Sequence, residues 1–162
     1  MNTHAAPEGS PVPAADSPHM RVLTQYVKEL SFRNPGGTIA TDIQPTIDMG
    51  VEVKSRPMGD KGDAFEVDLC INVAAKRGEG MMFSVSLVYA GLFQFMNVRA
   101  DDVEPLIWVE CPRLLFPFAR QIVADATRNG GFPPLMIDPI DFAQMFQQRM
   151  AEEQVKARVA AN

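Results

Sequence analysis

Residues 65–73 have the sequence FEVDLCINV, and this stretch decides the fold. Apolar residues occupy every odd position of it, and Glu66, Asp68 and Asn72 occupy three of the four even positions. A period of two places the apolar side chains on one face of a β-strand and the polar side chains on the other. The stretch therefore predicts a strand with one buried face and one face in water.

Three further stretches resemble strands. Residues 43–53 alternate in the same way, and Pro45 is typical of an edge strand or of the beginning of a strand. Residues 81–96 are apolar on one parity and on much of the other, which predicts a central or covered strand. Residues 22–32 alternate less cleanly and are predicted as the first strand of the chain.

Turn-forming sequences separate these strands. GDKG at residues 59–62 and RGEG at residues 77–80 are typical of hairpin turns, and NPGG at residues 34–37 ends the first strand. Strands that follow one another through tight turns pair antiparallel. The first half of the chain therefore predicts a four-stranded antiparallel sheet.

The second half of the chain changes period. Apolar residues recur at helical spacing over residues 111–126, and NGG at residues 129–131 is a helix stop. Asp138 is predicted to cap a second helix, with Pro139 at its first position. The apolar stripe of that helix ends at Met150.

Strands followed by helices predict an α+β fold, in which two main helices pack on one face of the four-stranded antiparallel sheet. The predicted domain covers residues 21–150. Residues 1–20 are rich in proline and lack apolar periodicity, so we expect a disordered N-terminal tail there. We expect a flexible C-terminal tail over residues 151–162.

Composition excludes several classes of protein. The chain of 162 residues has a net charge of −5, which argues against a nucleic-acid partner. No apolar run approaches the roughly 20 residues of a membrane-spanning helix, so we expect no direct membrane insertion. The N-terminus lacks the features of a secretory signal, and Cys70 and Cys111 are too few for a disulfide framework. These observations predict a cytoplasmic protein with reduced thiols.

The inventory of reactive side chains is small. The two histidines, His4 and His19, both lie in the predicted tail, so the predicted domain offers no His-based triad and no His-containing zinc site. Asp101 and Asp102 are interpreted as part of a solvated acidic turn. We therefore assign no catalytic residue, no metal ligand and no cofactor, and we expect a protein that is not an enzyme.

Ten methionines and ten phenylalanines suggest more apolar surface than two helices can cover. The surplus indicates oligomerisation, binding of apolar ligands, or both.

Three blocks of sequence resemble SecB, the bacterial protein-export chaperone. They are YVKELSF at residues 26–32, LLFPFAR at residues 114–120 and GFPPLMIDPIDF at residues 131–142. The resemblance implies a homotetramer built as a dimer of dimers. It also implies an ATP-independent holdase, which keeps unfolded preproteins from folding and passes them to the translocase motor SecA.

The resemblance also suggests site residues. Ile43 stands where the family has an aromatic residue of the client-binding groove, just before a Gln-Pro pair. Apolarity and location place five more residues near that groove: Phe93, Phe95, Phe142, Met145 and Phe146. Glu29 matches one of the family's SecA contacts, while Arg33, Ser84 and Ser86 replace three others. Positions that affect subunit association in the family align with Val85, Leu87 and Tyr89.

Two other interpretations remain open at this point. One is a SecB-like chaperone dedicated to a toxin–antitoxin client. The other is a carrier of small apolar ligands, or an enzyme that uses carboxylates in a cleft between sheet and helix.

Overall fold

The computed structural model describes residues 17–36 and 44–162. The strands are β1 (His19–Arg33), β2 (Thr46–Met58), β3 (Ala64–Arg77) and β4 (Gly80–Met96). The helices are α1 (Ala100–Pro105), α2 (Cys111–Asn129) and α3 (Phe142–Ala160), and a π-helical segment, Leu106–Glu110, joins α1 to α2. The predicted α+β class, with four antiparallel strands and two main helices, is confirmed.

The order of the strands in the sheet is β1-β4-β3-β2, and every neighbouring pair is antiparallel. The hairpins β2–β3 and β3–β4 are as predicted, and Gly59, Gly62 and Gly78 adopt the positive φ that their turns require. The turn predicted at residues 34–37 does not pair β1 with β2, because those strands lie at opposite edges. β1 pairs with β4 instead, so β4 lies between two strands in the centre of the sheet.

One face of the sheet is covered by α2, which packs on β4 and β3. Gly91 of β4 allows the close approach: a Cβ atom there would lie 3.0 Å from Leu115 Cδ2 and 2.5 Å from the ring of Phe93. Tyr89 stacks on Phe118 of α2, with ring centroids 6.2 Å apart. The odd-numbered residues of β3 and β4 therefore face α2, and we call this face the helix side.

The start of α3 differs from the prediction. The helix begins at Phe142, and the Asp141 side chain accepts a hydrogen bond from the Gln144 amide at 3.0 Å. Asp138 and Pro139 instead belong to an extended segment, and the prediction of a cap at Asp138 is wrong. Ile137 of this segment is buried in the core, and the helix starts only where the Asp141 side chain satisfies a free amide of its first turn.

The two ends of the predicted domain also differ in detail. β1 begins at His19, two residues before the predicted boundary, while residues 1–16 of the predicted tail lie outside the described residues. α3 continues to Ala160, beyond the end predicted at Met150. Its last ten residues are all exposed and rich in good helix formers, so local propensity carries the helix past its apolar stripe.

Candidate functional site

The face of the sheet opposite α2 carries the even-numbered residues of β3 and β4, and we call it the open face. The three residues assigned to SecA binding come together on it. Glu29 of β1 pairs with Val88 of β4, and Ser84 and Ser86 follow at alternate positions of the same strand. Sequence numbers 29 and 84–86 are far apart, so only the β1–β4 pairing brings these side chains together.

A shallow cavity of about 550 Å³ lies on the open face beside Ser84 and Ser86. Ser86 donates a hydrogen bond to Asn72 Oδ1 at 2.7 Å, so hydroxyl and amide groups line its floor. Asp48 of β2 also lines it and is 3.3 Å from Lys76. Sequence reasoning missed Asp48, although the alternation of β2 would have placed it on the polar face.

A charged cluster occupies the other part of the open face, and we call it the Glu66 cluster. Glu66 of β3 accepts hydrogen bonds from Tyr26, from Lys28 Nζ at 2.8 Å and from Arg56 Nε at 2.8 Å. Lys28 Nζ also lies 2.9 Å from Asp68 Oδ2. Side chains from both edge strands, β1 and β2, thus bind one carboxylate on the inner strand β3.

The electrostatics of the cluster follow from these contacts. Glu66 is only 3% exposed. The hydrogen bonds from Arg56, Lys28 and Tyr26 lower the pKa of Glu66 to about 2. The same contacts with Glu66 raise the pKa of Tyr26 and of Lys28. Glu66 therefore stays ionised over the whole neutral range. Sequence analysis placed it on the wet face of β3 and assigned it no role.

The residues assigned to the client groove lie in different environments. Phe93, Phe95 and Phe142 are buried in the core, where Phe95 stacks on Phe65 with centroids 5.4 Å apart. The structure therefore gives these three side chains a packing role and does not place them on an open surface. Met145 and Phe146 are half-buried on α3. Ile43 lies outside the described residues.

The residues aligned with the subunit interface lie beneath α2. Val85, Leu87 and Tyr89 are all buried within one chain. The Tyr89 hydroxyl donates to Gln25 Oε1 at 3.0 Å, and its ring supports Phe118. The structure therefore gives these three side chains a packing role within the chain.

Several exposed apolar residues lie on the helix side, at the edges that α2 leaves uncovered. Along β1 and α2 they form one strip, which we call the β1 strip: Val22, Val27, Leu30 and Phe118. Phe118 is 50% exposed and Leu30 is 46% exposed. Ile47 and Met49 are exposed at the opposite edge, on β2. Val22, Val27 and Leu30 share one face only because the register of β1 shifts between them. Strict alternation does not group these residues, so sequence reasoning missed the strip.

The described residues form neither a metal site nor a membrane-spanning helix. Within residues 17–36 and 44–162, no three His, Cys, Asp or Glu side chains are grouped as a metal site requires. In the same part of the chain, no helix combines the length and the apolarity that crossing a bilayer demands. Cys70 and Cys111 are free and buried, and burial raises the pKa of Cys111 to about 12.

Comparisons with known proteins identify the family of the chain. The family model described as preprotein translocase subunit SecB matches residues 13–153. The protein-export protein SecB of Sinorhizobium medicae is 53% identical over 99% of this chain and 96% of its own length. The protein of the same name from Agrobacterium fabrum is 51% identical over 91% of this chain and 92% of its own.

A solved structure with a similar fold shows the same architecture in a distant sequence. It is a SecB-like chaperone of Mycobacterium tuberculosis, in complex with a peptide from an antitoxin. The TM-score is 0.59 at 14% identity, and the match covers 75% of this chain and 90% of that chain. The arrangement of sheet and helices is therefore the same in two distant sequences.

Proposed function

This chain belongs to the SecB family, and from that premise we propose that it is a cytoplasmic, ATP-independent holdase. It binds unfolded preproteins, keeps them from folding and delivers them to SecA for export. It acts as a homotetramer, a dimer of dimers, and catalyses no reaction. The role of protein-export chaperone is that of the family.

The β1 strip carries the proposal. A folded chain that leaves Val27, Leu30 and Phe118 in water has apolar surface to offer to another polypeptide. Burial of such surface is worth about 25 cal/mol per Å². Folded proteins hide the apolar segments that the strip needs, so it binds unfolded clients selectively.

Binding alone is enough to hold a client unfolded. A protein that binds the unfolded state and not the folded state draws the equilibrium toward the unfolded state by mass action. No nucleotide is required for this effect. β1 and β2 are also edge strands of the four-stranded sheet, so their outer backbone groups can add hydrogen bonds to an extended client.

The open face is proposed as the surface for SecA. Glu29 supplies the acid that matches the family's contact, and Ser84 and Ser86 flank the cavity beside it. The helix side thus receives the client while the open face receives the partner. Assembly of the tetramer is proposed to depend on Val85, Leu87 and Tyr89 through the seating of α2.

The experiment is aggregation of a chemically unfolded precursor, diluted from denaturant without nucleotide. We expect suppression at a near-stoichiometric ratio of tetramer to client. Phe118→Ser removes a half-exposed ring, so client affinity should fall by about fivefold, the equivalent of about 1 kcal/mol. Val159→Ser, at an exposed apolar position near the end of α3, is the matched control and should change nothing.

Light scattering on each variant separates loss of binding from loss of assembly. The wild-type protein should have four times the mass of one chain. If the folded wild-type protein suppresses no aggregation, the holdase proposal is refuted, and a carrier of small apolar ligands takes its place.

A further inference from the structure

The pairing of β1 with β4 shifts register at Lys28, the residue of β1 that forms an ion pair with Glu66. Tyr26 pairs with Ala90 of β4, and Glu29 pairs with Val88, so three steps along β1 match two steps along β4. Lys28 lies within this β-bulge. A bulge inserts one extra residue and changes which face the following side chains point to.

The bulge decides where Glu29 points. In a regular strand that continued from Tyr26, Lys28 would take the place opposite Val88, and Glu29 would point to the helix side. With the bulge, Glu29 takes that place on the open face. Leu30 then pairs with Leu87 on the helix side.

Contacts of the extra residue hold the bulge from across the sheet. Lys28 Nζ lies 2.8 Å from Glu66 Oε1 and 2.9 Å from Asp68 Oδ2. Tyr26, just before the bulge, donates to the other oxygen of Glu66. Both side chains must pass over β4 to reach β3, and the small Ala90, which is 0% exposed, lies under their path.

We propose that Glu66 is a positioning residue for the partner contact at Glu29. By holding Tyr26 and Lys28, it fixes the bulge that turns Glu29 to the open face. This inference rests on the proposed function, since it assigns Glu66 a role in recognition of a partner that seeks an acidic side chain there.

A competing explanation exists on the same strand. Phe32 packs on Phe83, with ring centroids 6.0 Å apart, and this contact lies on the helix side beyond the bulge. If the packing of Phe32 alone sets the register, the bulge persists without Glu66. The two explanations predict different results for one substitution.

The first measurement is structural and needs no partner. In methyl-labelled protein, the nuclear Overhauser effect between Leu30 and Leu87 reports the register after the bulge. Glu66→Gln should reduce its intensity by about half or more, because a second register becomes populated. An unchanged intensity in a folded tetramer overturns the inference, whatever SecA does.

The second measurement is SecA affinity. Glu29→Gln tests the proposed function, and Glu66→Gln tests the positioning. We expect Glu66→Gln to weaken SecA binding by about tenfold, with little further loss in the double variant, because both changes act on one contact. If the loss of SecA affinity in the double variant equals the sum of the losses in the two single variants, in free energy, the positioning role is contradicted.

Two further variants control the design. Glu52→Gln removes a charge from an exposed position of β2 in the same cross-strand row as Val88, without touching the bulge, and should leave the Leu30–Leu87 signal intact. If Glu66→Gln does not fold, Lys28→Gln replaces it and Lys28→Arg is its rescue. We expect Lys28→Gln to lose the Leu30–Leu87 signal and Lys28→Arg to keep it. The same signal intensity in both variants overturns the inference.

Discussion

Glu66→Gln should destabilise the protein at neutral pH, and the loss should shrink as the solution becomes acidic. The folded state lowers the pKa of Glu66 from 4.5 to about 2. A lowered pKa contributes stability that is present in full above the unfolded value, near 4.5, and is lost as the pH falls toward 2. Glutamine cannot ionise, so the variant lacks this contribution at every pH.

The size of the effect follows from the same contacts. A shift of this size corresponds to an upper limit of about 3 kcal/mol. The Arg56 side chain is 63% exposed and that of Lys28 is 33% exposed, so water screens both cations. We therefore expect a loss of about 1–2 kcal/mol at pH 7 and less than about half of that at pH 3.

The assay is urea unfolding of both proteins at pH 7, 5, 4 and 3, at one fixed protein concentration, because assembly contributes to the apparent stability. Glu153→Gln is the matched control. Glu153 pairs with Arg149 at 3.3 Å on the exposed side of α3, so its loss should cost no more than about 0.5 kcal/mol at any pH. A loss in Glu66→Gln that is the same at pH 7 and pH 3 would refute the electrostatic explanation.

Three further outcomes test the fold. Gly91→Ala should cost about 1–3 kcal/mol in urea unfolding, because the added methyl group overlaps buried side chains, among them Leu115. Asp141→Ala removes the acceptor of the Gln144 amide and should cost about 1 kcal/mol, whereas Asp141→Asn should cost much less. Cys111 should resist Ellman's reagent at pH 8 until urea unfolds the protein, because a pKa of about 12 keeps its thiol protonated; rapid reaction of the native thiol would contradict its burial.

Local sequence pattern was enough to predict β3 and the hairpin that follows it. The alternation over residues 65–73 predicted β3, and the glycines at residues 77–80 predicted the hairpin to β4. The start of α3 could not be predicted in this way. Asp138 and Asp141 both suit a helix cap in sequence, and in the folded chain Asp141 is the residue that accepts the Gln144 amide.

The candidate site was less accessible to sequence reasoning. Phe93 and Phe95 were assigned to a groove because they are apolar, but whether an apolar side chain lines a groove or fills the core is a property of the tertiary structure. The bulge at Lys28 did leave a signal. It makes the alternation of β1 irregular, and that irregularity is what turns Glu29 to the open face.

The geometry of the sheet explains where the surplus apolar surface lies. An α-helix is about 10 Å wide, and four strands spaced by about 4.8 Å span more than that, so α2 covers the two central strands and leaves Leu30 and Met49 exposed at the edges. On the open face, the side chains of Tyr26 and Lys28 cross over Ala90 of β4 to reach Glu66. A charged cluster therefore covers this part of β4. The chain thus presents apolar surface on one side of the sheet and charge on the other. Under the proposed function, client and SecA contact opposite faces, and neither has to leave before the other binds.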